Sequence, residues 1–156
     1  MEPNIFEKIL VKLIKSEGGI RRAILVDKTG LTIAHASKLS SYYPIDIEGI
    51  GAIASAIFVA SEEQGKSLDI GDLQMVTSEF ENGKIFAASC GQGVLCLITD
   101  PDVNIGMIRL LMKRAAAELG KLLNDFLRSA VPIPVEKEKR KEEEELKAAL
   151  DALEQL

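Results

Sequence analysis

Residues Asp46 to Gln64 constrain this chain more than any other stretch, because their pattern predicts a helix with no face suited to water. Ile47, Ile50, Ile53, Ala54 and Ile57 recur at helical spacing, while the opposite side carries Gly51, Ala52, Ser55, Ala56 and Val59 in place of charges. A helix that is apolar all round must be buried all round. One side can cover the chain's own sheet; the small-residue side then needs a second surface, and another copy of the same helix fits it best.

The flanking sequence supplies that sheet. Pro3 suits a first helical turn, and Ile5, Phe6, Ile9, Leu10, Leu13 and Ile14 make an apolar stripe that Gly18 and Gly19 end. Two apolar runs follow, Ala23 to Val26 and Leu31 to Ala36, joined by Asp27-Lys28-Thr29-Gly30, a hairpin loop whose glycine takes the left-handed position. The first run lacks polar alternation, which predicts a strand covered on both faces. Ser37 to Pro44 reads as a polar loop whose Tyr42 and Tyr43 lie over the domain's own edge or meet a partner. Asp46 is the expected N-cap of the central helix, with Glu48 in its first turn, and Gly65 its expected stop.

Leu73 to Phe80, Lys84 to Cys90 and Val94 to Thr99 then read as an antiparallel meander broken at Asn82-Gly83 and Gly91-Gln92-Gly93. After Asp100-Pro101-Asp102 a long helix shows Ile105, Ile108, Met112, Ala115, Leu119, Leu122 and Phe126 on one face. This order predicts an α+β sandwich with helices on both sides of one antiparallel sheet. We expect a domain over residues 1–129, a proline-containing linker over 130–135 and a charged helical extension over 136–156. The extension holds eight acidic and five basic side chains. Its apolar residues, Leu146, Leu150, Leu153 and Leu156 with Ala149 beside them, span little more than one heptad, too short for an autonomous coiled coil, so the tail either docks in a groove through Leu146, Leu150 and Leu153 or is a solvated, fraying helix.

Charge and chemistry narrow the function by exclusion. The net charge is −5, and because the tail carries much of the acid, the body is close to neutral, with no basic stripe to bind nucleic acid. The apolar runs fall short of a membrane span and no charged-then-apolar leader opens the chain, so a soluble, cytoplasmic protein is expected. Cys90 and Cys96 sit in apolar strands and read as reduced, buried thiols. Ala60 to Ser67 imitates a phosphate loop on paper, but it closes a helix where a phosphate loop opens one, and Glu62 and Glu63 would repel the anion. His35 is the single histidine, with no nucleophile placed beside it and no metal-ligand spacing around it. No catalytic, cofactor or metal residues are assigned.

The whole ordering, from about Ile5 to Leu127, resembles the roadblock/LC7 family. The similarity is carried by Ala23-Ile24-Leu25-Val26-Asp27 with Gly30-Leu31-Thr32-Ile33-Ala34, the alanine-rich helix after Asp46, Gly83-Lys84-Ile85, Gly91-Gln92-Gly93-Val94-Leu95 and Asn104-Ile105-Gly106-Met107-Ile108-Arg109. The resemblance implies a profilin-like, five-stranded antiparallel sheet with the central helix on one face and the first and last helices on the other. It also implies a dimer made by pairing the strand after the central helix and packing the two central helices together. Family members serve as non-catalytic platforms for Ras-like small GTPases, some regulating or co-activating GTP hydrolysis, others acting as scaffolds at membranes or as dynein subunits. The expected interface is Ala52, Ser55, Ala56 and Val59 on the helix with Leu73, Met75 and Thr77 on the strand. The expected partners are a second copy or another roadblock domain and a Ras-like GTPase, with no membrane insertion. A scaffold or motor-associated light chain that leaves the GTPase cycle untouched is the rival reading. No arginine stands out as a catalytic finger; Arg21, Arg22 and Arg109 qualify only by charge.

Overall fold

The computed structural model describes residues 4–38, 44–130 and 135–155. Tyr42, Tyr43, Pro3 and the prolines of the expected linker lie outside the described residues. Two units emerge, the first ending at Asn124 and the second starting at Asp125.

In the first unit, helix α1 (Asn4–Ser16) leads into a hairpin of β1 (Ile20–Asp27) and β2 (Thr32–Ser37). Helix α2 (Ile47–Ser67) and the meander β3 (Met75–Phe80), β4 (Gly83–Cys90) and β5 (Gly93–Thr99) follow, and α3 (Ile105–Ala130) starts here and continues into the second unit. The strands form one antiparallel sheet in the order β2-β1-β5-β4-β3. This is the α+β sandwich that the sequence predicts. Strand β5 is the centre, with β1 beside it, and the long apolar run of β1 is covered on both faces as expected.

Alternation along the strands divides the core in two. Ile24, Val26, Ala87, Val94 and Cys96 pack with Ala54 and Phe58 of α2. The intervening residues, including the register pairs Leu25 with Leu95 and Phe86 with Leu97, are buried on the other face. There the apolar stripes of α1 and α3, from Phe6 and Leu10 to Ile108, Met112, Leu119 and Leu123, are buried as well. Helix α3 comes close to the sheet at its end, where the Cys90 thiol donates to the Ala116 carbonyl at 3.5 Å.

The β1–β2 turn is built around one carboxylate. Asp27 Oδ1 accepts from the Thr29 amide at 2.9 Å, the Thr29 hydroxyl at 2.6 Å and the Leu31 amide at 3.0 Å. Gly30 has the left-handed φ of 96° expected of it, and it also lies where a Cβ would come 3.3 Å from the Ala52 backbone. The turn thus rests directly on α2.

Two expectations need correction. Helix α2 does not stop at Gly65: it runs to Ser67 with Leu68 as its cap, and the left-handed residue beyond it is Asp69, at φ 53°. Gly65 is needed for a different reason. It is buried in the last turn, where a Cβ would lie 3.1 Å from the Gly71 carbonyl, and its own carbonyl accepts from the Ile70 amide. The strand after the helix is also shorter than predicted, starting at Met75, with Leu73 packed against the α2 core from outside the strand.

The second unit contains the end of α3 and helix α4 (Val135–Glu154). Leu146, Leu150 and Leu153 form an exposed stripe along α4, between 54% and 64% accessible.

Phe58 is fully buried while its neighbour Ile57 is 46% exposed. Phe58→Ala is therefore expected to lower unfolding stability by about 3–5 kcal/mol through the cavity it leaves, measured by urea denaturation. Asp27 supplies a pH-dependent test. Partial burial works against its charge, but hydrogen bonds from the Thr29 side chain and from the Leu31, Thr29 and Gly30 backbone outweigh this and hold its pKa below the ordinary 3.8. A depressed folded pKa stabilises above the unfolded value and is lost as pH falls through the folded one. Asp27→Asn should accordingly lower the urea midpoint at neutral pH, and the gap to the native chain should close on acidification below 3.8.

Candidate functional site

The orientation of α2 decides which surface is available. Gly51 faces the sheet so closely that a Cβ there would lie 2.6 Å from a Val26 methyl and 3.2 Å from the Thr32 hydroxyl. Ser55 is 1% exposed, and its hydroxyl donates to the Asp27 carbonyl at 3.1 Å. With Ala54 and Phe58, these residues form the buried stripe, and Ile47 and Ile50 are half-buried beside it. Small residues bring the helix axis close to the strands; this is what the small-residue side is for.

The large residues consequently point outward. Ile53 is 62% exposed and Ile57 46%, flanked by exposed Ala52, Ala56 and Ala60. Ser55 was expected on a partner-facing side and is instead turned into the subunit's own sheet. Val59 is half-buried, and Ala52 and Ala56 are exposed as a contact would require. Sequence reasoning missed Ile53 and Ile57, which it assigned to the sheet. The signal that would have found them is Phe58: the bulkiest apolar residue of the segment marks the core stripe, and counting back three or four at a time gives Ala54, Gly51 or Ile50, and Ile47.

The second component is the edge of the sheet. Strand β3 pairs only with β4, from Met75 opposite Ala88 to Phe80 opposite Gly83, so its outer backbone groups have no ladder partner among the described residues. Leu73, Met75 and Thr77 are half-buried along this edge. By alternation Phe80 shares the α2 side of the sheet with Val76, and it is 59% exposed. An open strand edge next to an outward apolar helix face is a template for adding another chain.

Among the described residues, catalytic and metal-ligating side chains are not gathered in this way. Among the described residues no three His, Cys, Asp or Glu come together as a metal site would need. His35 is exposed on the edge strand β2. Arg21 pairs with Asp100, Arg22 donates to the Ser37 hydroxyl at 3.1 Å, and Arg109 is exposed on α3. The Gly65-Lys66-Ser67 run lies in the last turn of α2, where carbonyls and not amides are presented, so it has the wrong polarity for phosphate. No described helix is long and apolar enough to cross a membrane.

A helix with a small-residue sheet contact and an outward apolar stripe thus lies on one face of a five-stranded sheet whose β3 edge has no ladder partner among the described residues. Residues 7–99 match the Roadblock/LC7 domain, and the chain belongs to that family. Uncharacterized protein MJ1340 of Methanocaldococcus jannaschii is 39% identical over 115 residues, covering 74% of this chain and 96% of that protein. Among solved structures, "MglB with tetrameric arrangement" superposes with a TM-score of 0.73 at 22% identity, covering 80% of this chain and 93% of the other. The gliding protein mglB from Thermus thermophilus does so with a TM-score of 0.72 at 21% identity, covering the same shares. At these identities the two structures establish the fold.

Burial pushes the Cys90 and Cys96 thiols up to about 12. Their thiolate fraction at pH 8 is then on the order of one in ten thousand, so neither should react with a thiol reagent in the native protein. Both are expected to titrate only after denaturation, which a spectrophotometric thiol count in the presence and absence of denaturant would check.

Proposed function

We propose that this protein is a non-catalytic regulator or scaffold that dimerises through α2 and β3 and binds a Ras-like small GTPase, altering its nucleotide cycle or its location. The observation that carries this reading is the outward stripe of Ile53 and Ile57 beside the unpaired edge of β3, in a chain of the roadblock/LC7 family. Pairing β3 with its counterpart in a second copy would satisfy the open backbone groups and extend one sheet through both subunits. The same approach would bring the two α2 stripes together, with Ala52, Ala56 and Ala60 allowing the isoleucines to interdigitate. The likeness to MglB structures supports a regulator of this kind, because the fold is shared over most of both chains.

The mechanism in this reading is positioning. A composite surface spanning two subunits would hold the switch loops of the bound GTPase in one of their two arrangements, which needs no nucleophile, metal or cofactor from this chain. Cytoplasmic location and a homodimer, as opposed to a pair with another roadblock domain, belong to the same proposal.

Ile57→Glu places a carboxylate on the outward stripe without entering the core. The expected result is a light-scattering mass reduced from dimer to monomer with an unchanged circular dichroism spectrum. Ser55→Arg would instead be buried against β1 and should damage the subunit itself. For the GTPase, binding to GDP- and GTP-loaded forms is measured beside hydrolysis and exchange rates. Preference for one form with a changed rate supports regulation; binding without any rate change favours the scaffold or light-chain reading, and a monomer that ignores both forms removes the proposal.

A further inference from the structure

A groove of about 970 Å³ lies at the β3 edge of the sheet, between α3 and the start of β3, with Glu62 of α2 on its rim. Arg109, Lys113 and Lys121 line its helical wall, with Ala117 and Gly120 leaving room between them, and Leu73 and Met75 form the opposing wall. The three cations are exposed and make no ion pair with any described residue. Of the two acids at the rim, Glu62 is already paired with Lys28 at 3.5 Å. Asp72 is the other acid, so the groove combines aliphatic residues with three cations against one unpaired carboxylate, a net positive charge. That combination selects an acidic amphipathic helix over a nucleic acid, which would leave the aliphatic wall unused.

We propose that the occupant is helix α4 of a second copy of this chain. Its Leu146, Leu150 and Leu153 are exposed along one stripe, and the acidic run from Glu142 to Glu145, with Asp151 and Glu154, flanks that stripe at both ends. The dimensions agree. Arg109 to Lys121 spans about 18 Å of helix, and Glu143 to Glu154 about 16 Å, at roughly 1.5 Å per residue. The leucines supply the apolar contact and the carboxylates meet the row of cations. The inference rests on the dimer proposed above, since β3 is both a wall of the groove and the strand at which a second copy adds. Ile53 and Ile57 of α2 do not line the groove, so docking there leaves that stripe free.

Zero-length carbodiimide cross-linking tests this on the full chain. Isotopically heavy and light chains are unfolded and refolded together, cross-linked and digested, and carboxylate-to-lysine peptides are read by mass spectrometry. The expected result is heavy–light cross-links between Lys113 or Lys121 and the carboxylates of residues 142–154. Leu150→Ser keeps every cross-linkable group, yet should reduce the heavy–light yield about tenfold by withdrawing one leucine from the groove. Cross-links confined to chains of one isotope, or a yield unchanged in Leu150→Ser, overturn the docking. Light scattering on the same samples separates the two proposals: a dimer lacking these cross-links refutes the groove assignment alone, whereas a monomer refutes the dimer with it.

Discussion

The close approach of α2 to the β1–β2 hairpin is the contact on which the rest of the structure depends. Gly51 lies where any Cβ would strike Val26, and Gly30 lies where one would press on the Ala52 backbone. The Ser55 hydroxyl closes the gap by donating to Asp27, the residue whose carboxylate also organises the turn. Three small residues and one hydrogen bond thus fix the rotation of a 21-residue helix about its axis. Close packing makes the choice discrete: rotating the helix would drive isoleucines into a space sized for glycine.

The outward face of α2 follows from this rotation. With Gly51, Ala54, Ser55 and Phe58 turned inward, Ile53 and Ile57 have nowhere to go but out, beside an edge strand with an open ladder. Burying such a stripe between copies removes apolar surface from water, and pairing the edges removes a template for aggregation. The opposite face obeys a related rule, because Gly120 lets α3 meet the β4–β5 turn at Gly91, setting how deep a groove remains between helix and strand.

The order and type of the elements were legible because their signals are local. The hairpin glycine, the Asn-Gly and Gly-Gln-Gly turns, the Asp46 cap and the threefold and fourfold spacing of α3 each act within a few residues. The rotation of α2 was not legible in the same way. A helix apolar all round has a weak amphipathic signature, and the reading that large residues pack inside sent Ile53 and Ile57 to the sheet and Ser55 to the partner. The end of the helix was misjudged for a similar reason. Gly65 looked like a stop, but it serves a tertiary approach by the loop at Gly71, which sequence spacing alone does not reveal.

By itself the sequence determined that the middle of this helix is apolar on both sides and that it accompanies a five-stranded antiparallel sheet. Those conclusions need only periodicity, turn chemistry and residue type. The tertiary structure decided which side of the helix meets its own sheet and which is left exposed, and which cations line a common groove. That decision depends on whether a Cβ fits between two backbones, a distance set jointly by residues far apart in the chain, so it exists only once the chain has folded.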